Sequence, residues 1–600
     1  MSEECPQNSD YVNDYVASAT TELENLKEAM QNANFHGKWV IIGERDAKVS
    51  KCYMNQREQY ATSSLLDAVD CEQLVSPGVI LYPDKNNEDN AKEDIKKAIK
   101  LCKTESMAIA TRTGGHQYSG FSSTSSANMQ IDLSEAFKEY EYDRTSKVLR
   151  CGVSWKLKDW AQENHKNGFY LPMGVCRDVY LGGHVSTGGW GMVARSHGLL
   201  ADRVLAFEII LADGEAPREL RVVRPDPDLD MANSEENEKI YKAVLGGGKG
   251  GDFGIVTHYE FEPIPDVTSG THCYVYLWQW TEARMRAVVG KMKELSNKDS
   301  TQLPSDYEFM LNIIGSKKPS GITSNSEAML CNYLSQSVRD ELALRIELAL
   351  SDKDVKVLPN PTGPLIIMWM CFTNKNGSAF EASHFQEFKT EVGEGDGTLF
   401  LEKQIPVSQG LAEEFIMDHP REMAYPFVKR FWATNQLKDN FVATYTTRVK
   451  EIINEDPGSE NGQHLVSQMQ VYTDGAVKEN GQNEKGQYTS FSWREQVLAM
   501  SCDSFYEENK REAAEAWQQA NDAAFIGTDK AFSDKDMRMF AYTFGKRPQK
   551  LENTLPNSTK KVWECYYNGD EKYNNLKDIK GEYDPHKIFS ADEFSLTPKE

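Results

Sequence analysis

The stretch LPMGVCRDVYLGGHVSTGGWGMVARSHGLLAD, Leu171 to Asp202, carries more glycine, and in a tighter pattern, than an ordinary protein core uses. Gly182, Gly183, Gly188, Gly189 and Gly191 fall within ten residues. Glycines at that density let the backbone take conformations and approach distances that a Cβ would block. Backbone N–H groups turned outward in such turns form concave nests for anions such as a diphosphate. A glycine pattern alone is a weak motif, so the reading depends on what surrounds it.

A second glycine-rich turn lies upstream. The apolar run Met107 to Ala110 reads as a buried strand, and it feeds TRTGGHQYSG, Thr111 to Gly120. One nucleophilic side chain sits in each of the two turns, His116 in the first and Cys176 in the second, where each could meet a bound cofactor. Arg112 is placed to meet a phosphate with a charge-assisted bond. The pattern is not the GxGxxG of a Rossmann domain, because no Asp or Glu stands about 20 residues beyond a strand, turn and helix of that kind. FAD is therefore favoured over NAD.

Four motifs occur in a fixed order: RTGGHQYSG, GVCRDVYLGGHVSTGGWGMVARSHGLLAD, GGGKGGDFGIVT at Gly246 to Thr257, and YDPHKIF at Tyr583 to Phe589. In these the chain resembles the FAD-linked oxidases of the berberine bridge enzyme family, and ARSHGL at Ala194 to Leu199 is also similar to hexose and oligosaccharide oxidases within it. The resemblance implies an α+β fold of the vanillyl-alcohol oxidase type, with a two-part FAD-binding domain and a substrate domain of helix-covered antiparallel sheet. It also implies FAD joined covalently to both His116 and Cys176. The implied cofactor contacts are Arg112, Thr113, Gly114, Gly115, Gln117, Ser119, Gly174, Val179, Gly182, Gly183, Ser186, Gly189, Gly191, His197, Gly198, Asp202, Gly254, Ile255, Val256 and Asn568. A tyrosine in a Tyr-x-Asn motif takes the substrate proton in many relatives, and Tyr566-Tyr567-Asn568 fits that pattern with its register open between Tyr566 and Tyr567. Tyr118 matches a tyrosine that contacts substrate or ring edge in some members. Val179 stands where relatives that react with O2 carry valine and relatives that exclude it carry leucine; the shorter side chain leaves room for O2. The resemblance further implies a disulfide between Cys71 and Cys102.

Some positions depart from the family pattern. Thr187 replaces the first of three glycines, Lys249 interrupts GGGKGG, and Trp493 replaces a histidine that some alkaloid-forming members carry, which argues against an alkaloid-cyclising site. The leading reading is an oxidase acting on an alcohol, sugar or specialised metabolite, with O2 as second substrate and H2O2 as product. The alternatives are an oxidative cyclase or desaturase, and a flavin-fold binding protein without turnover.

Composition bounds these readings. The chain has 600 residues and a net charge of −24, enough length for two or more domains and the wrong sign for nucleic acid or an anionic membrane surface. No apolar run approaches the roughly 20 residues that span a bilayer. The start MSEECPQNSDYVND lacks the basic and apolar parts of a signal peptide, leaving an intracellular protein or one whose leader has been removed. The sequons at Asn376 and Asn557 are compatible with the second case. Eleven cysteines at irregular spacing form no metal motif and no dense disulfide scaffold. No metal is expected, and the chain reads as a monomer acting on a small molecule.

The layout along the chain follows. An extension at 1–74 includes an amphipathic helix from Tyr11 to Ala33. Short strands and helices at 75–265 make the FAD-binding domain, with a strand pair turning at Asp213-Gly214. Alternating strands at 266–545, with helices at SWREQVLAMS and REAAEAWQQANDAAF, make the substrate domain, and 546–600 is a segment that in the family packs back on the FAD domain.

Overall fold

The computed structural model describes residues 20–41, 77–315, 340–341, 364–415, 427–453, 463–532, 538–539 and 561–599. Within these it leaves out 117–121, 123, 125–127, 227–233, 247–249, 268, 507–509, 528, 562, 565–566, 568 and 592–594. Gln117, Tyr118, Ser119, Lys249, Asn557, Tyr566, Asn568 and Cys71 therefore lie outside the described residues.

Three sheets carry the fold. In the first, β1 (Lys38–Ile41), β2 (Val79–Tyr82), β3 (Ile109–Arg112) and β4 (Met129–Asp132) lie in the order β1-β2-β4-β3. The strands β2, β4 and β3 run parallel, while β1 is antiparallel to β2. A parallel step needs a crossover, and the helix Glu88–Thr104 supplies it between β2 and β3. Asn87 caps that helix by accepting the backbone N–H of Asn90, and Glu88 and Asp89 sit in its first turn. Its buried stripe Ala91, Ile95, Ala98, Ile99 and Cys102 has the spacing of one helical face.

The second sheet begins with β5 (Tyr140–Asp143) and β6 (Val148–Gly152). The chain then runs through the short β7 (Phe169–Tyr170) to β8 (Val204–Leu211), β9 (Arg218–Val223) and β10 (Ile255–Phe261), in the antiparallel order β5-β6-β10-β8-β9. Last of these in sequence, β10 inserts between β6 and β8, so the whole Leu171 to Asp202 stretch is looped out to one side before the sheet closes. β11 (Ile264–Pro265) pairs with β7.

The third sheet is antiparallel throughout. It holds β12 (His272–Gln279), β13 (Tyr307–Ile314), β14 (Leu365–Phe372), β15 (Thr398–Lys403), β16 (Phe427–Thr434), β17 (Gln463–Val471), β18 (Leu498–Tyr506) and β19 (Arg538–Met539). Their order is β15-β12-β14-β13-β17-β18-β16-β19. Every residue of β13 and β14 is buried, which requires cover on both faces. The helices Glu282–Ser296, Phe441–Lys450 and Arg511–Phe525 pack against one another and against β16, β17 and β18. The glycine-rich stretch packs on the sheet from the other unit, its short helix Ala194–His197 against β13.

Two sequence expectations change. SWREQVLAMS is not a helix: the chain is irregular to Val497, and Leu498 opens β18. β18 lies between β17 and β16, with both backbone edges paired, and burial on both faces removes the period-two alternation that marks a half-exposed strand. Cys102 is a buried free thiol whose Sγ lies 3.9 Å from Met129 Sδ, so the bridge to Cys71 is not formed. Burial raises the Cys102 thiol pKa, which keeps it protonated and unreactive. Among the described residues no helix is long and apolar enough to cross a membrane.

Candidate cofactor and active site

β3 ends at Arg112 and the chain turns through Thr113 to His116, with Gly115 at φ +64° in the left-handed region that favours glycine. Gly114 has no room for a side chain, because a Cβ there would come 2.3 Å from the Tyr180 ring. Facing this turn, the segment from Leu171 leads through Gly174 to Cys176, and the helix Leu181–Ser186 brings Gly182 and Gly183 alongside. Gly191 is equally constrained: a Cβ would lie 1.7 Å from the Met173 carbonyl oxygen.

These segments surround one cavity of about 330 Å³. Its wall includes the expected contacts Thr113, Gly114, Gly115, His116, Gly174, Cys176, Val179, Gly182, Gly183, Ser186, Gly189, Gly191, Gly254 and Val256. His116, Cys176 and Val179 are each half-buried at its edge. Arg112 and Ile255 are buried in their strands and are not part of the wall. His197, Gly198 and Asp202 also stand apart from it. His197 Nε2 and the Tyr170 hydroxyl are 2.8 Å apart, and Asp202 takes Arg494 at 2.8 and 2.9 Å and the Leu199 N–H at 2.9 Å. Their work is to hold the glycine-rich stretch in shape. Tyr567 is fully buried in a stack with Tyr573 and Trp563, away from the cavity wall.

The wall also contains residues that the sequence reading did not single out. From the third sheet come Met310, Phe431, Gln468 and Ser501, and from the YDPHKIF region Phe589 with Ala591 beyond it. That region is tied to β3 by the Ile109 N–H donating to the Ile588 carbonyl at 2.6 Å. Lys580 donates to the Asp252 carbonyl at 2.5 Å and pairs with Asp584 at 2.6 Å, so the chain after the helix Asp570–Tyr583 is pinned to the Gly250–Asp252 turn. Arg195 joins the glycine-rich stretch to the third sheet. Its guanidinium donates to the carbonyls of Leu303, Pro304, Tyr307 and Thr473, while the Glu308 carboxylate accepts the N–H groups of Arg195 and Ser196. Burial pushes the Glu308 pKa up to about 8.

His184 is a further wall residue, and it lies inside the stretch that decides the fold. Its Nε2 accepts the Gly174 N–H at 2.9 Å, which sets the neutral tautomer and links the glycine helix to the segment bearing Cys176. Removal from bulk water pushes its pKa down to about 4. An unfolded histidine titrates near 6.5. Between these values the unfolded chain binds the extra proton, so stability falls as pH drops from 6.5 toward 4. Replacing His184 by Gln should flatten the pH dependence of the unfolding midpoint across that window, as followed by thermal melts; an unchanged slope would remove His184 as its source.

The cavity fits a flavin dinucleotide. Gly183 is exposed toward it, and a Cβ at Gly183 or Gly251 would meet nothing within 4 Å, so glycine leaves backbone open to a ligand there. The two nucleophilic side chains, from turns sixty residues apart in the chain, open into the same space. Elsewhere, Glu88, Glu139 and His258 converge, but Lys92 pairs with Glu88 and Glu208, and Arg150 with the same two acids, which makes this an ion-pair cluster and a poor cation site.

Comparison with known proteins agrees with this geometry. Residues 90–218 match the family model described as an FAD binding domain. The chain is 29% identical over 230 residues to the FAD-linked oxidoreductase sorD of Penicillium rubens, covering 38% of this chain and 43% of that protein. It is 28% identical over 201 residues to the aclacinomycin-N/aclacinomycin-A oxidase of Streptomyces galilaeus, covering 32% of this chain and 35% of the relative. The aligned part thus spans less than half the length of these curated relatives. Among solved structures, a chitooligosaccharide oxidase superposes with a TM-score of 0.60 at 16% identity, covering 98% of this chain and all of the other. A berberine bridge enzyme variant superposes with a TM-score of 0.64 at 15% identity, covering 96% of this chain and all of the other. The chain is a homologue of the FAD-linked oxidoreductases, carrying an FAD-binding domain within the fold that berberine bridge enzyme and the oligosaccharide oxidase share.

Proposed function

We propose that this protein is an FAD-dependent oxidase of a small organic substrate, an alcohol, sugar or specialised metabolite, with FAD attached at both His116 and Cys176. The observation that carries the reading is the single cavity into which both side chains open, walled by glycine on one side and by the third sheet on the other. Residues 75–265 are the FAD-binding domain in this reading, 266–545 supply the substrate side, and 546–600 close over the flavin. When bound, FAD supplies a hydride acceptor and a route for the electrons to O2. The chain's own residues do the rest. The glycine turns offer backbone N–H groups to the diphosphate. His184, neutral and anchored on Gly174, keeps the two halves of the cradle in register. The substrate proton goes to the Tyr566 hydroxyl, which must lie within about 2.6 to 3.2 Å of it to act as base.

Val179 stands at the cavity edge, its N–H on the Cys176 carbonyl at 3.3 Å, beside the proposed thioether. Leucine there should slow reoxidation by air while leaving flavin reduction by substrate little changed, as read by stopped-flow absorbance of each half-reaction. Equal slowing of both would remove Val179 as the oxygen gate. The reading as a whole is tested by peroxide release from the yellow protein across a panel of sugars, alcohols and aromatic metabolites; a folded but colourless protein would overturn it.

A further inference from the structure

We propose that Cys273 and Cys371 form a disulfide when the chain folds under oxidising conditions, and that the folded protein then keeps whichever state, dithiol or disulfide, it folded with. Cys273 on β12 and Cys371 on β14 lie directly opposite each other in an antiparallel pair. Directly opposite residues have Cα atoms about 4.5 or 5.5 Å apart. A disulfide spans Cα separations of about 4.4 to 6.8 Å, so the two strands already hold these residues at bridging distance. As thiols their sulfurs are 3.9 Å apart, and closing the bond takes rotation of the two side chains without movement of the sheet. Other buried thiols have different neighbours: Cys102 faces the Met129 sulfur at 3.9 Å, and Cys502 faces the Ser467 hydroxyl at 3.4 Å.

Burial decides when the bond can form. Cys273 and Cys371 are 1% and 0% exposed, inside the apolar cluster that also holds Val175 and Met310 of the cavity wall. Gly410 packs so closely on Cys273 that a Cβ there would come within 2.6 Å of its sulfur, which leaves no space on that side for a glutathione adduct. The Cys273 thiol beside it, together with burial, pushes the Cys371 pKa well above its ordinary value and keeps the nucleophilic thiolate scarce. The unfolded chain has neither restraint. There the thiolate of one cysteine attacks oxidised glutathione, forming a mixed disulfide and releasing one glutathione thiol. Pairing of β12 with β14 then brings up the second cysteine, which attacks the protein sulfur of the mixed disulfide and releases the other glutathione thiol. The two cysteines give up two protons and two electrons, and one oxidised glutathione becomes two reduced ones. Closure of the core seals the product. The bond joins residues 98 positions apart, and a loop of that size strongly restricts the unfolded state.

The test produces the full-length protein in two bacterial hosts, one with an ordinary reducing cytoplasm and one whose cytoplasm is kept oxidising. Thiols are blocked with iodoacetamide during unfolding, and the protein is then digested without reductant and mapped by mass spectrometry. The oxidising host should yield the Cys273 and Cys371 peptides joined to each other and lighter by two hydrogens, and the reducing host should yield both alkylated. The joined form should melt about 5 °C higher. Cys273→Ala and Cys371→Ala should each abolish that difference between hosts. Native reduced protein held with oxidised glutathione should stay unjoined. Alkylation of both residues in protein from the oxidising host, joining of either to another cysteine, or a melting difference below about 1 °C would overturn the proposal. Ready joining of the native reduced protein by oxidised glutathione would overturn the fixing of the state at folding. If an alanine variant does not fold, the linkage map of the wild type decides the matter.

Discussion

Flavin is expected to stay with the polypeptide through acid precipitation of the wild-type protein, and to leave it completely only when His116 and Cys176 are both changed to Ala. The two residues arrive at the cavity from different directions, His116 on the turn after β3 and Cys176 on the segment after β7, so loss of one leaves the other's bond intact. Each single variant should give a yellow pellet with flavin mass on the remaining peptide. The noncovalent glycine cradle should still load the double variant, which then releases its flavin on acid treatment. Digestion of the wild type with flavin mass on neither peptide would refute both attachments.

Tyr566→Phe should slow flavin reduction by roughly 10² to 10⁴, the usual cost of removing a positioned general base, with the flavin spectrum and substrate affinity little changed. Tyr567 is a poor rival: its ring stacks on Tyr573 with centroids 5.5 Å apart, and its N–H donates to the Trp563 carbonyl at 2.8 Å. Tyr567→Phe should therefore leave the rate within a few-fold. A tyrosine titrates near 10, so Tyr566 needs help from a nearby cation or from the flavin itself to act at neutral pH. The rival inside the cavity is Tyr180, packed against Gly114. An effect below tenfold at Tyr566, with the large loss at Tyr180→Phe, would move the base there.

The glycine turns were legible because a glycine motif is local: its residues are neighbours in sequence and share one physical requirement, room for backbone. The helix Glu88–Thr104 was legible for the same reason, with its cap, its acidic first turn and its buried stripe contained in one stretch. The third sheet's part of the cavity wall was not legible. Gln468, Ser501 and Phe431 become neighbours only through the register of three strands, and nothing beside each residue in sequence records its cross-strand partner. β18 was misread because burial on both faces erases strand periodicity. His197, Gly198 and Asp202 belong to a motif whose first half builds the cavity and whose second half braces it, a division that only the hydrogen bonds to Arg494 and Tyr170 reveal.

The bond between Ile109 and Ile588 bears on the order of events during synthesis. β3 and both glycine turns leave the ribosome long before the residues around Phe589 that complete the cavity wall. Since N-terminal regions fold first as the chain emerges, a growing chain holds the nucleophiles His116 and Cys176 in a trough with one side missing. Cofactor capture is then expected to come late, after the Asp584 carboxylate has taken the Ile588 and Phe589 N–H groups and Lys580 has met the Asp252 carbonyl.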